Sequence, residues 1–155
     1  MTPLAPPLPM TAYPPLARHR VACLVAFSAA LLLGLASRRW QAGLPDLFGK
    51  YPGDALWALT VFFGWAALRP ALTTLRIALL ASATSAAVEC CKLWQDPWIV
   101  HLRHTTLGHL VLGHVFSWQN LVAYAVGVAA GIMIDLLLLA PLRTSSPASR
   151  HDAVP

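Results

Sequence analysis

Residues 21–37 read VACLVAFSAALLLGLAS, seventeen residues without a charge, closed in by Arg18 and Arg20 on one side and by Arg38 and Arg39 on the other. A helix that is apolar all round is a buried helix or a membrane span. A run of this length between cations reads as the short form of a span. A secretory signal is the rival reading, because Gly34 and Ala36 supply small residues near the end of the run. The span is preferred, since Arg38-Arg39 would directly follow the cut.

Composition points the same way. Of 155 residues, 57% are hydrophobic and 11% charged, with a mean hydropathy of +0.62. An ordinary soluble domain carries about a quarter charged residues, so a soluble enzyme is excluded as the default and lipid is the expected solvent. The net charge of +5 is scattered along the chain, which speaks against nucleic acid as a partner, because that needs a clustered basic face. Cys23, Cys90 and Cys91 are an odd number with two adjacent members, so they read as small buried hydrophobes and not as a disulfide framework.

Punctuation divides the rest. Six of the first fifteen residues are proline, so residues 1–17 read as a disordered leader. Residues 143–155 read as a similar tail, and 18–142 as the membrane domain. A second apolar segment runs from Asp54, a candidate N-cap, to Leu68 and is closed by Arg69-Pro70. The third starts near Ala71 and continues to about Leu93, and the fourth runs from about Asn120 to Leu142. The stretch from Trp94 to Trp118 is apolar but too short to cross. The expected fold is therefore all-α: an integral membrane four-helix bundle with a short interfacial or re-entrant helix before the last span.

If the four helices alternate in direction, Asp54, Glu89, Lys92, Arg103, Asn120 and Tyr124 meet at one membrane face with Trp40, Trp57, Trp94, Trp98 and Trp118. Six Lys and Arg lie on the side of the termini against five on the other, which votes for cytoplasmic termini in a bacterial inner (plasma) membrane. Ser82, Ser85, Glu89 and Lys92 form a polar stripe on the third helix. Asn120, Tyr124, Gly127 and Gly131 form a companion on the fourth, where the two glycines permit close helix packing. An ionisable group inside a span is a functional candidate by default, so Glu89 heads the list. Its bland counterpart is an ion pair with Lys92 or Arg103 that fixes packing. Arg103 could also pair with Asp54 or bind a lipid phosphate. Asp135 reads as a solvated interfacial carboxylate.

His104, His109 and His114 follow at steps of five, about 500° of helical turn, unlike the i, i+4 pair of a zinc helix. With no nucleotide fingerprint, phosphate loop or serine elbow either, neither a metal nor a cofactor is expected.

Several motifs together carry a resemblance. Gly53-Asp54-Ala55-Leu56-Trp57-Ala58, Phe62-Phe63-Gly64-Trp65, Leu68-Arg69-Pro70, Val88-Glu89-Cys90, Leu102-Arg103-His104-Thr105-Thr106-Leu107-Gly108-His109-Leu110, Phe116-Ser117-Trp118 and Tyr124-Ala125-Val126-Gly127 resemble the small bacterial membrane proteins of the family called domain of unknown function 2809. The likeness covers about residues 18 to 135, and that family is distantly similar to VanZ-like proteins. The resemblance nominates Glu89, Arg103, Asn120, Tyr124 and Gly127. Lys92 stands where the family pattern has Gln, and Asn120 where it has Asp. VanZ similarity implies a link to glycopeptide susceptibility at the cell envelope.

The expected function is binding of an envelope lipid, a lipid-linked sugar or a partner protein in a polar pocket. Asp54, Glu89, Lys92, Arg103, Asn120 and Tyr124 would supply its polar groups, and Trp57, Trp94 and Trp118 its walls. The alternatives are a membrane-embedded enzyme with Glu89 as acid or base, and a small transporter or assembly subunit.

Overall fold

A computed structural model describes residues 16–39, 51–105, 108, 115–139, 141 and 144–145. Five helices dominate the described residues. They are α1 (Arg20–Arg39), α2 (Tyr51–Leu68), α3 (Thr74–Cys91), the short α4 (Pro97–Arg103) and α5 (Trp118–Ile134), which runs on as a π-helix over Asp135–Leu139. The leader and tail expected at 1–17 and 143–155 lie mostly outside the described residues. At their inner edges Leu16–Ala17 (β1) pairs antiparallel with Thr144–Ser145 (β2).

The helix starts follow local chemistry, with two corrections to the sequence reading. α2 begins at Tyr51, ahead of Asp54. Pro52 sits in the first turn, where its missing N–H is an orphan in any case, so Pro-Gly opens this helix. Asp54 lies inside the first turn, where its carboxylate faces the positive end of the helix dipole. α3 begins at Thr74 and not near Ala71. Leu72 N–H closes a turn onto the Arg69 carbonyl, and Thr73 is the N-cap, its hydroxyl accepting from the Arg76 N–H at 3.3 Å.

The glycines report how the helices run. A Cβ on Gly34 would meet Leu56, one on Gly53 would meet Ser37 and Arg38, and one on Gly64 would meet Phe27, so α1 and α2 are antiparallel. On α5, a Cβ on Gly127 would stand 2.1 Å from the Ala55 carbonyl oxygen and one on Gly131 2.7 Å from the Phe62 ring. α5 therefore runs parallel to α2, its backbone lying against it where a side chain would otherwise intrude. Glu89 meets Asn120 at one end of α3 and Thr74 meets Asp135 at the other, so α3 and α5 are antiparallel. α2 is central and packs against α1, α3 and α5. Phe62, Phe63, Ala58 and Ala66 of α2 form the core with Ile77, Ala81 and Val128.

α1, α3 and α5 with its π extension are long and apolar enough to cross a membrane. At about 1.5 Å per residue, the 18 residues of α3 reach about 27 Å, close to the roughly 30 Å of a hydrocarbon core. The molecule is inside out relative to a water-soluble protein. Leu24, Leu32, Leu79, Val122 and Leu137 are exposed, whereas Arg18, Asp54, Glu89, Lys92, Arg103 and Asp135 are buried.

Candidate functional site

The starts of α2 and α5 lie beside the end of α3, and buried charged side chains gather at the two ends of the assembly. At the end where α3 finishes and α5 begins, Glu89 is completely buried, at 0% exposure. Its Oε1 accepts from the Ser117 backbone N–H at 2.8 Å and from Asn120 Nδ2 at 3.1 Å. Its Oε2 accepts from Lys92 Nζ at 2.6 Å and from the Tyr124 hydroxyl at 2.8 Å. A carboxylate has about four acceptor positions, and all four are filled.

Each partner is placed for a local reason. Lys92 follows Glu89 by three residues and caps α3, so it stands over the same face. Asn120 and Tyr124 are one turn apart on α5 and face α3 together. Ser117 is the N-cap of α5 and makes no side-chain cap bond. Its backbone N–H, left over at the helix entry, is given to Glu89 instead.

The polar stripes expected from the sequence meet only in part. Ser85 is buried and among the described residues its hydroxyl has no hydrogen-bond partner, whereas Ser82 is exposed. The α5 stripe splits between two neighbours, with Asn120 and Tyr124 on α3 and Gly127 and Gly131 on α2. Arg103 pairs with neither Glu89 nor Asp54. It is 2% exposed, it donates from Nη2 to the Cys91 carbonyl at the end of α3, and among the described residues its Nε has no partner. Asp54 is held 3.5 Å from Arg38, on the α1 side of α2. Cys23 is buried, but Cys90 is exposed and Cys91 half-buried, because one and two helical steps turn them about 100° and 200° away from the Glu89 face.

The tryptophans do not form one wall. Trp57 lies in the cleft between α1 and α2, with Leu31, Gly34 and Arg38. Trp118 is 73% exposed, as its place two residues before Asn120 dictates, since two helical steps turn a side chain about 200° away. Trp94 is half exposed and stacks edge to face on Trp98 at 5.8 Å between ring centroids. Trp40, Lys50, His109 and His114 lie outside the described residues. Among the described residues no group of three His, Cys, Asp or Glu is placed to hold a metal.

At the opposite end the sequence reading missed a second cluster. Asp135 is 0% exposed and not the solvated carboxylate expected of a helix end. Arg18 grips it through Nε and Nη2, each at 2.7 Å, and donates from Nη1 to the Leu72 carbonyl. The Thr74 hydroxyl donates to Asp135 at 2.6 Å. A planar guanidinium matching a carboxylate two-fold is the strong form of this pair. Arg18 had counted only as a basic flank of the first span.

Apolar helices of spanning length whose charges turn inward at both ends define a small, all-helical membrane protein. The chain belongs to the family described as Protein of unknown function (DUF2809), which matches residues 43–128, more than half of its length. That match covers α2, α3, α4 and most of α5, and so contains the whole Glu89 cluster. No solved structure matches the chain.

Proposed function

We propose that the chain is a four-span protein of the bacterial plasma membrane, both termini cytoplasmic, that binds an amphipathic envelope lipid without transforming it. A groove of about 630 Å³ between the starts of α2 and α5 carries this reading. Tyr51 and Gln119 line it in the first turns of α2 and α5, and Ala55, Val122, Ala123 and Val126 line it one to two turns further along. Its volume is within the usual range of ligand pockets, about 300–1,000 Å³. Polar groups at the helix starts and apolar ones below match a lipid, headgroup outward and chain along the span.

The fourth span is α2. It equals α3 in length and lies antiparallel to α1 and α3, and its polar first turn and central position explain its lower hydropathy. Binding is favoured over catalysis by the state of Glu89. A general acid or base must present a lone pair or a proton to its substrate, and every acceptor position of this carboxylate is in use. The Glu89 cluster acts from behind the groove, where Asn120 and Tyr124 fix the rotation of α5 and so the direction of Val122 and Val126. The distant similarity to VanZ-like proteins supports an envelope ligand.

The test is lipid retention. Wild-type protein purified in neutral detergent should carry lipid detectable by mass spectrometry. Val126→Trp and Val122→Trp, both at exposed positions, should lower that retention several-fold while the protein elutes and melts as before. Equal retention by wild type and both variants would overturn the groove reading.

A further inference from the structure

We propose that Arg103 forms an oxyanion site for a phosphate group at the end of α3, distinct from the groove and independent of it. Charge accounting at this end of the molecule leads there. Glu89 is saturated by Ser117, Lys92, Asn120 and Tyr124. Asp54 is engaged by Arg38, and Asp96 accepts from the Trp94 indole. Of the two buried cations, Lys92 is paired with Glu89, and among the described residues Arg103 has no carboxylate within ion-pair distance.

A buried charge without a counter-charge is costly, and the carbonyl at the α3 terminus offers only the partial negative charge of a helix end. A guanidinium carries five N–H donors. Among the described residues one of them is used, and Nε is both buried and unpartnered. Its rigid fork is built for planar recognition of phosphate or carboxylate oxygens. Backbone geometry fixes Arg103 in place. α4 ends on it, the Thr105 N–H and hydroxyl both return to the Leu102 carbonyl, and a Cβ on Gly108 would stand 1.8 Å from that same oxygen. Only a Gly at 108 permits that close approach to the Leu102 carbonyl. The phosphate belongs to a lipid headgroup or to a soluble phosphate, and the two separate by competition.

Wild-type protein is reconstituted into nanodiscs of equimolar phosphatidylcholine and phosphatidic acid, and the lipids that remain bound after detergent extraction are identified by native mass spectrometry, with and without millimolar inorganic phosphate. About a tenfold preference for phosphatidic acid is expected, the size of one charge-assisted hydrogen bond to an exposed phosphomonoester. Preference that survives inorganic phosphate assigns a lipid headgroup, and preference that inorganic phosphate abolishes assigns soluble phosphate. Arg103→Gln should remove the preference, while Arg39→Gln, an exposed cation at the same end of the bundle, should keep it. No preference in wild type overturns the site even if Arg103→Gln fails to fold, and so does undiminished preference in a folded Arg103→Gln protein. Val126→Trp should leave the preference intact, so failure of the groove and failure of this site give different results.

Discussion

Replacing Glu89 by Gln keeps the shape of the side chain and removes its charge. In the native cluster one oxygen receives the Ser117 N–H and the Asn120 amide, and the other receives the Lys92 ammonium and the Tyr124 hydroxyl. The Gln carbonyl can keep the first pair, but its NH2 then faces Lys92 and Tyr124. Tyr124 can rotate its hydroxyl and accept. Lys92 has no lone pair to offer, and as a group only 7% exposed it becomes a buried, unpaired cation. Breaking a buried pair from one side costs about 3–5 kcal/mol. The lower part of that range is expected, because the lysine stem can bend its head towards the interface.

The companion change is Lys92→Gln, which leaves the buried carboxylate without its counter-charge but still with the Ser117, Asn120 and Tyr124 donors, and should cost about 3 kcal/mol. The double variant Glu89→Gln/Lys92→Gln removes both charges and should be more stable than Glu89→Gln alone. Reversible unfolding in mixed micelles, followed by tryptophan fluorescence, measures all four proteins of the cycle. Glu89→Gln within about 0.5 kcal/mol of wild type, or a double variant no more stable than that single one, would refute a cluster whose stability depends on charge pairing.

Two further outcomes follow from the packing. Gly127→Ala should destabilise by about 2 kcal/mol or more, because the new methyl meets the Ala55 backbone, and Gly131→Ala by less, since the Phe62 ring can tilt; the same unfolding assay ranks them, and the reverse order would contradict the parallel packing of α2 and α5. With the native cysteines changed to Ala, Asp96→Cys should react with an impermeant thiol reagent in intact cells while Arg69→Cys reacts only after permeabilisation. Labelling of Arg69→Cys alone would invert the proposed orientation.

Much of this architecture is legible in the amino-acid sequence, and what is not has a common cause. Apolar runs between cations announce the spans, because length and composition are set by the bilayer and need no tertiary information. Glu89, Asn120 and Tyr124 are legible because polar side chains at helical spacing inside apolar runs must face one another. Ser117 could not be found that way, since it contributes a backbone N–H that almost any residue would supply. Nor could the state of Arg103, whose partner is a backbone carbonyl. The start of α2 was misplaced because Pro-Gly reads as a break, although at the head of a helix it is a start. The tryptophans misled for a geometric reason, since sharing a membrane level does not make side chains share a helix face.

The clasp at the termini bears on how the protein is made. Arg18 and Asp135 are 117 positions apart, and a ribosome adding about 5–20 residues per second separates their emergence by roughly 6–23 s. Throughout that interval the arginine lacks Asp135, and the Thr74 hydroxyl that will join them emerges about halfway through it. Closure is therefore reserved for a chain translated at least through residue 135. A chain that stops before residue 135 leaves the Arg18 guanidinium with the Leu72 carbonyl and the Thr74 hydroxyl but without the Asp135 carboxylate.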